Sequence, residues 1–299
     1  MISILCPCYN EEKSLQALYS RIVPVMDKTH EDFEIIFVDD GSVDSTLNIL
    51  KNFADSDKRV KVIEFSRNFG IEAALTALLN YASGDCAVII DADLQHPPET
   101  IPSMIEKWHE GFDFVYTKRT NRASDSLIRK FLTHSFYRIY NAISTASIIE
   151  EVGEFCLMDR RVINAILKFK ETNRFMRGIF SWLGFRTVTI DYVCEKRWGV
   201  SKFTLKKLFS LAVDGLLSFS SFPLNFIFGF GLVSLISVIL YGIINSFSEM
   251  FFLLLLCSLN ILFTGIIGIY VGKINVESRH RPLYIVRDVY TKKYEEVNS

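Results

Sequence analysis

Two aspartates stand two positions apart directly after an apolar run, in the segment DADLQHPPE at residues 91–99. Ending a buried strand with Asp91 and Asp93 is costly unless a cation compensates their charge. Carboxylate oxygens at this spacing suit Mg²⁺ or Mn²⁺ bridging a diphosphate, so we expect a metal–nucleotide site. A polar loop before a proline-capped helix is the alternative. His96 could be a ligand, but we favour a packed loop histidine because metals that bind diphosphates prefer oxygen.

A second pair of carboxylates, Asp39 and Asp40, lies in the segment VDDGS at residues 38–42. Carboxylates in such a turn can accept hydrogen bonds from a base N–H or from ribose hydroxyl groups. Gly41 would let the backbone approach closely. An ordinary Asp-Gly turn with a serine helix cap explains the same residues, so this segment decides little alone.

Both segments follow predicted strands, and this alternation predicts the fold class. Helical periodicity begins near residues 11, 42, 70 and 97, between short β-branched runs. These βαβ units indicate an α/β domain with a mostly parallel sheet covered on both faces, which binds ligands at the carboxyl ends of its strands. The predicted strands are Ile2–Cys6, Glu34–Val38, Val60–Phe65, Cys86–Ile90 and Phe112–Tyr116.

Composition narrows the functional classes. The 299 residues carry a formal net charge of −1 with 22% charged residues, which excludes a disordered chain and argues against a nucleic-acid binder. The six cysteines show no C-x-x-C pair and no zinc spacing. We therefore expect them to be core or membrane residues without disulfides.

A long apolar stretch predicts a membrane region. Between Asp214 and Lys273 the only formal charge is Glu249. Two blocks, Phe222–Ile244 and Met250–Gly272, each suit a helix long enough to cross about 30 Å of hydrocarbon. A buried helical hairpin in a soluble protein is the alternative, but soluble helices of this length keep a polar stripe.

Charges around these blocks predict the topology. Basic residues precede the first block and follow the second, whereas the link between them has none, so we expect both termini in the cytosol. The N-terminus shows no signal peptide pattern. The expected divisions are 1–200 for the α/β domain, 201–221 for an amphipathic juxtamembrane helix, 222–272 for two transmembrane helices and 273–299 for a cytosolic tail.

The order of the motifs resembles a known family. PCYNEE at 7–12, VDDGS, SRNFG at 66–70 and DADLQHPPE together resemble the inverting glycosyltransferases of family 2, which have the nucleotide-binding GT-A fold. The later motifs are similar to those of polyprenyl-phosphate glycosyltransferases, including prophage bactoprenol glucosyltransferases and enzymes like dolichyl-phosphate mannose synthase. These motifs are VGEFCLMDRR at 152–161, RFMRGIFSWLGF at 174–185, RWGVSKF at 197–203, FSSFPL at 219–224 and RPLYIVRD at 281–288.

The resemblance implies a site for a sugar nucleotide donor. Asp91, Asp93 and Gln95 would surround the diphosphate and its Mg²⁺ or Mn²⁺, and Arg67 would lie near the sugar-nucleotide pocket. The nucleoside would be held by Pro7, Tyr9, Asn10, Glu11 and either Asp39 or Asp40.

The resemblance also implies a site for the phosphate of a lipid acceptor. Arg119, Arg129 and Arg197 correspond to basic residues that would meet this phosphate. A solvated basic face is the alternative for Arg119, Arg129 and their neighbours Arg122 and Lys130. Glu154 occupies the position of a family aspartate, and Cys156 replaces a family arginine. Glu154 would therefore orient the acceptor rather than act as an obligatory base, because a lipid phosphate is already ionised.

The implied reaction is transfer of a hexose, with glucose from UDP-glucose as the first expectation, to undecaprenyl phosphate. Such an enzyme would sit in the bacterial inner membrane and modify O-antigen or cell-envelope glycans. A flippase and a downstream transferase would be pathway partners, and a homo-oligomer is compatible with the sequence.

Three other classes fit the sequence less well. A processive polysaccharide synthase would show Q-x-x-R-W and more membrane spans, whereas Cys194 stands in the glutamine position here. A nucleotide-regulated scaffold would not need the metal carboxylates. A dehydrogenase would carry G-x-G-x-x-G after its first strand, but the only G-x-G, at 229–231, lies in the apolar stretch.

Overall fold

The computed structural model describes residues 1–120, 152–169, 176–195 and 249–292, with individual positions at 171, 174 and between 227 and 240. Within these residues, eight strands form one sheet. The strands are β1 (Ile2–Cys8), β2 (Phe33–Asp39), β3 (Val60–Phe65), β4 (Cys86–Ile89), β5 (Phe114–Arg119), β6 (Val152–Asp159), β7 (Thr187–Tyr192) and β8 (Val286–Thr291). The helices are α1 (Leu15–Asp27), α2 (Thr46–Ser56), α3 (Ile71–Tyr81), α4 (Ile101–His109), α5 (Arg160–Ile166), α6 (Met176–Trp182) and α7 (Glu249–Ser278).

The sheet is mostly parallel, as the sequence predicts. Its strand order is β7-β5-β6-β4-β1-β2-β3-β8. Strands β4, β1, β2 and β3 are mutually parallel, and only β6 and β8 run against the others in this sheet. All five predicted strands are confirmed, with ends shifted by one to three residues in several of them.

Helices cover both faces of this sheet. One apolar core packs β1 residues such as Ile4 against α1, α2 and α4, and the other packs Leu5 and Ile36 against α3, α5 and α6. Every residue of β1 is buried. A strand covered on both faces has no solvent side, which is why β1 and β2 are apolar at nearly every position rather than alternating.

Three strands were not predicted from the sequence, and β8 changes the domain description. It lies within 273–299, which the sequence indicates to be a tail, yet it pairs antiparallel with the edge strand β3. The sheet of the first domain therefore includes a strand from beyond residue 200. The alternation of charged and apolar residues in VRDVYT is weak by itself, and pairing with an open strand edge supplies the missing stabilisation.

The helix α7 matches the second predicted membrane span, Met250–Gly272. Its stretch Leu255–Ser278 is long and apolar enough to cross a membrane, with a mean hydropathy of 2.0, and it is the one such helix among the described residues. Most of the first predicted span, Phe222–Ile244, and all of 201–221 lie outside the described residues.

Candidate functional site

The loops that follow β1 and β2 are hydrogen-bonded into one unit. The Asn10 N–H donates to Ser42 Oγ at 2.9 Å, and the Val43 N–H donates back to Asn10 Oδ1 at 2.9 Å. The Glu11 N–H donates to Thr46 Oγ1 at 2.8 Å. Asn10 has φ of 52°, a conformation that asparagine tolerates better than most residues. The segments PCYNEE and VDDGS, which are separate in the sequence, thus form one surface.

Asp39 lies directly beneath this surface and has one carboxylate oxygen without a hydrogen-bond partner among the described residues. The residue ends β2 and is only 1% exposed. Its Oδ2 accepts a hydrogen bond from the Ser42 N–H at 3.2 Å, whereas its Oδ1 has no hydrogen-bond partner among the described residues. Burial raises the pKa of the Asp39 carboxyl. Because buried polar atoms are normally satisfied, Oδ1 is suited to accept from a ligand N–H or O–H.

Asp40, unlike Asp39, has both carboxylate oxygens hydrogen-bonded to backbone N–H groups. Its two carboxylate oxygens accept hydrogen bonds from the N–H groups of Phe69, at 2.6 Å, and Gly70, at 3.0 Å. These groups lie directly before α3, which begins at Ile71. Asp40 therefore anchors the SRNFG loop, residues 66–70. The sequence left open whether Asp39 or Asp40 would contact the nucleoside. Because both oxygens of Asp40 already accept hydrogen bonds from this loop, we favour Asp39 for that contact.

Gly41 allows the backbone of the SRNFG loop to pack closely against the turn after β2. Its φ is +68°, and a Cβ at this position would stand 2.5 Å from the carbonyl carbon of Arg67. The close backbone approach that the sequence assigned to a ligand is thus made by residues 67 and 68. The Arg67 guanidinium is exposed and lies 4.1 Å over the ring of Phe69.

The predicted metal loop follows β4 and folds back on itself. Asp93 is 6% exposed, and its Oδ1 accepts from the Gln95 N–H at 3.0 Å. The Asp91 side chain is about one-third exposed, at 32%. His96 is buried, its Nδ1 accepts from the Asp91 N–H at 3.3 Å, and its ring stacks on Phe155 at 4.9 Å. His96 is therefore placed as a packed loop residue.

The residues in this loop fit a divalent cation shared with a diphosphate. Asp91 and Asp93 offer hard carboxylate oxygens at the end of a buried strand. Among the described parts of the chain, no three histidine, cysteine, aspartate or glutamate side chains form a metal-binding group. Two carboxylates leave coordination positions for phosphate oxygens, which is the usual arrangement for magnesium on a nucleotide.

The antiparallel strand β6 brings Glu154 to the same edge. Cys156 of β6 pairs with Ile89 of β4, so the beginning of β6 lies beside the end of β4, where Asp91 follows. The pKa of the Cys156 thiol is raised by burial and further by the charges of Glu154 and Asp91. Both carboxylates therefore lie within electrostatic range of one thiol.

Among the described residues, Arg119 is a cation at the carboxyl end of a strand of this sheet. It ends β5, and its Nε donates to the Tyr192 hydroxyl at 2.9 Å at the end of β7. Burial lowers the pKa of Arg119, but Tyr192, Cys194 and Asp91 together raise it, so the net shift is upward. Burial raises the pKa of the Cys194 thiol; the charge of Arg119 lowers this pKa and the charge of Asp93 raises it. Arg119 is thus partly buried and hydrogen-bonded to Tyr192 rather than on a solvated face.

Contacts that the sequence did not reveal hold the chain after β7 against the metal loop. Arg21 of α1 binds Glu99 and Glu195 together, with both shortest N···O distances at 2.6 Å. The Glu195 N–H donates to the Gln95 carbonyl at 3.2 Å. These partners are 78 and 174 residues from Arg21, and no spacing pattern marks them.

The remaining predicted residues divide into two groups. Pro7 is buried within β1, while Tyr9 follows that strand and is half-buried. Arg129 and Arg197 lie outside the described residues, as do Arg122 and Lys130. The contribution of these arginines to the acceptor site stays a prediction.

Comparison with known proteins agrees with the motif order. The model of the family "Glycosyl transferase family 2" matches residues 3–167. The "Uncharacterized glycosyltransferase YkcC" of Bacillus subtilis is 40% identical over 302 residues, covering 96% of this chain and 94% of that protein. The "Bactoprenol glucosyl transferase" of Shigella phage SfV is 40% identical over 301 residues, covering 96% and 98%.

Among solved structures, glucosyl-3-phosphoglycerate synthase from Mycobacterium tuberculosis in complex with UDP is similar, with a TM-score of 0.48 and 18% identity. The match covers 72% of this chain and 79% of that one. This likeness is too distant to add to the assignment, which rests on the family match and the near full-length relatives. The chain belongs to glycosyltransferase family 2, and it is a glycosyltransferase.

Proposed function

We propose that this enzyme transfers a hexose from a sugar nucleotide to undecaprenyl phosphate, with glucose from UDP-glucose as the first choice. The observation that carries the proposal is that Arg119, at the end of β5, lies at the same edge of the sheet as Asp91 and Asp93, which follow the parallel strand β4. Arg119 also donates to Tyr192, whose ring contacts His96 of the metal loop. A transferase that joins two anionic substrates needs such opposed charges in one place. The name of the SfV relative, a bactoprenol glucosyl transferase, supports the lipid acceptor.

The donor half of the mechanism follows from the carboxylates. Asp39 Oδ1 accepts a hydrogen bond from the nucleoside and orients it. Asp91 and Asp93, with Gln95 beside them, would hold Mg²⁺ or Mn²⁺, which neutralises charge growing on the leaving diphosphate. Asp40 keeps the SRNFG loop next to the donor, and Asn10 and Glu11 fix the opposite loop.

The acceptor half rests on Arg119. Its guanidinium, held by Tyr192, offers paired N–H groups suited to a phosphate. The lipid phosphate oxygen attacks C1 of the sugar from the face opposite the departing nucleotide, so the anomeric centre inverts. Because this phosphate is ionised near neutral pH, no side chain has to remove a proton before the attack.

The function is tested with the purified full-length protein, undecaprenyl phosphate and a panel of radiolabelled sugar nucleotides. We expect one donor to yield a lipid carrying a single sugar, and undecaprenol without phosphate to yield none. A polymer on the lipid would indicate a processive synthase instead. Nucleotide binding without turnover of any donor would indicate the scaffold class and contradict the proposal.

The surface of α7 supports a membrane location. Large apolar side chains are exposed along it, including Leu253, Ile261 and Ile274, which are 62%, 75% and 66% exposed. A helix that presents apolar residues outward needs an apolar surrounding. An enzyme acting on a long isoprenoid lipid meets its acceptor at that bilayer. We place it in the bacterial inner membrane, with a flippase and a downstream transferase as pathway partners.

The sheet constrains the number of membrane crossings. Strands β7 and β8 belong to the same sheet, so the chain leaves and returns on the same side of the membrane. It must therefore cross an even number of times between residues 192 and 286. If α7 crosses once, an odd number of further crossings is needed before Glu249, where the sequence predicts the single span Phe222–Ile244. Together with the charge pattern of the sequence, this supports our proposal of two crossings with both termini in the cytosol.

This topology predicts protease sensitivity. In inside-out vesicles, a peptide tag placed after residue 299 should be cleaved by added protease, because the C-terminus faces the outside of such vesicles. In right-side-out vesicles the same tag should be protected until detergent is added. Protection of the tag in sealed inside-out vesicles would contradict the topology.

Glu154 is predicted to orient the acceptor rather than act as a base. We expect Glu154→Gln to lower kcat with saturating lipid phosphate by about tenfold or less, below the ~10² to 10⁴-fold typical of general-base loss. Glu154→Asp is the matched control, since it keeps the charge and shortens the side chain. A loss of about a thousandfold in the glutamine variant, with folding and donor binding intact, would show that Glu154 is an obligatory base.

A further inference from the structure

The chain that follows α7 contacts the SRNFG loop directly. The Ser66 N–H donates to the Ile285 carbonyl at 3.0 Å. The Tyr284 ring stacks on Phe65, with 5.0 Å between ring centroids, and its hydroxyl accepts from Asn80 Nδ2 at 3.1 Å. The loop anchored at its far end by Asp40 is thus anchored at its near end by residues from the C-terminal part of the chain.

The strand β8 also compensates a buried carboxylate. Glu64 of β3 is 6% exposed. Its oxygens accept from the Tyr290 hydroxyl at 2.7 Å and lie 3.3 Å from Arg287 and 3.6 Å from Lys51 of α2. Two of these three partners come from β8. Without them, Lys51 would be the one remaining partner of Glu64 among the described residues, and an undercompensated buried carboxylate is strongly unfavourable.

The charge of Glu64 is felt at the proposed nucleoside residue. In the parallel pairing of β2 and β3, Asp39 stands opposite Glu64, and opposed residues of a ladder point to the same face of the sheet. Burial is the main reason that the pKa of Asp39 is raised, and the Glu64 carboxylate adds to it. Losing the β8 partners of Glu64 would therefore increase negative potential where an anionic nucleotide must bind.

We propose that residues 284–291 are a positioning element of the donor site, which holds the SRNFG loop and neutralises Glu64 so that the nucleotide can bind. The inference rests on the proposed nucleotide donor site and adds residues that lie outside the four segments PCYNEE, VDDGS, SRNFG and DADLQHPPE, from which that site was predicted. Because residue 284 follows the end of α7 by only six residues, the complete donor site requires the end of this apolar helix to be near the sheet.

The test measures binding of UDP with Mn²⁺ to the full-length protein in detergent by calorimetry. The double variant Arg287→Gln/Tyr290→Phe removes the ion pair and the hydroxyl while keeping the aromatic ring. We expect its Kd for UDP to rise about fivefold, since Arg287 is largely exposed and the Tyr290 bond contributes most. The KM for undecaprenyl phosphate should stay within about twofold of the unsubstituted value.

A rescue separates this role from general destabilisation. Adding Glu64→Gln to the double variant removes the uncompensated charge and should return the Kd for UDP to within about twofold of the original. Lys292→Gln, at an exposed position just beyond residues 284–291, also removes one positive charge. It is the matched control and should leave the Kd unchanged. If the double variant does not fold, Tyr290→Phe alone, with and without Glu64→Gln, gives the same comparison.

The outcomes are distinct. UDP affinity that is unchanged in the double variant, or lowered without rescue by Glu64→Gln, would overturn the positioning role. Absence of UDP binding by the unsubstituted protein would instead contradict the proposed donor.

Discussion

Replacing Asp93 by asparagine should lower turnover of the sugar nucleotide by about a thousandfold or more. Asp93 is nearly buried at the end of β4, so its charge is poorly screened by water and binds a cation strongly. Loss of the cation removes several kcal/mol of stabilisation from the departing diphosphate, and about 4 kcal/mol corresponds to a thousandfold in rate. The measurement is kcat/KM for the donor at saturating lipid phosphate, titrated with Mg²⁺ or Mn²⁺.

Asp85 provides the matched control for Asp93. It lies at the opposite end of β4, is exposed and pairs with the N-terminal ammonium group at 2.8 Å. Asp85→Asn should leave donor turnover within about twofold, because its charge is far from the carboxyl ends of the strands. Excess EDTA should abolish activity of the unsubstituted enzyme and of Asp85→Asn alike. Full activity in EDTA would contradict the metal site, whatever the Asp93 variant does.

Replacing Asp39 by alanine should raise the KM for the sugar nucleotide by about 30-fold while changing kcat little. A hydrogen bond to a charged group contributes about 2 kcal/mol, and the nucleoside is bound equally in the ground and transition states. Asp39→Asn should fall between alanine and the unsubstituted enzyme because it keeps an acceptor without the charge. Initial rates at varied donor concentration measure the effect. Asp55→Asn, on the exposed side of α2, is the control.

Two further observations check the role of Asp39. Because burial raises its pKa, donor affinity should fall as the pH decreases through that raised pKa, and the fall should be absent in Asp39→Asn. Asp40→Asn should instead lower the free energy of unfolding by about 1–3 kcal/mol, since it weakens the anchor of the SRNFG loop. A larger change in donor KM for Asp40→Asn than for Asp39→Ala would show that the two roles are reversed.

The sequence alone determined the central part of the fold and the edge of the sheet that carries the carboxylates we propose for the donor site. Each of the strands β1 to β5 is a short, continuous and largely apolar run of residues, so each can be recognised from its own sequence. Because the strands β1 to β4 are parallel, their carboxyl ends share one edge, and residues that follow them must lie near one another. The order of strands and carboxylates along the chain is therefore enough to place Asp39, Asp91 and Asp93 together. The second apolar block was recognisable for a similar reason, since hydrophobicity is a property of composition.

Only the tertiary structure decided between neighbours that are chemically alike. Asp39 and Asp40 are adjacent and identical in type, and they differ only because the N–H groups of the SRNFG loop, almost 30 residues away, occupy the carboxylate of Asp40. Likewise Arg119 could not be distinguished from a solvated arginine until β7 brought Tyr192 to its Nε. These choices depend on contacts between distant segments, and local patterns carry no information about them.

The strands β6 and β8 show the same limit at the level of the fold. Neither has a strong alternation of its own; β8 pairs with β3 at one edge of the sheet, whereas β6 lies inside the sheet and joins β4 to β5. Pairing of β6 brings Glu154 to the site, and pairing of β8 supplies Tyr290 to Glu64. Backbone hydrogen bonds between strands do not depend strongly on side-chain type, so local patterns alone do not reveal strands that are stabilised by pairing with distant segments.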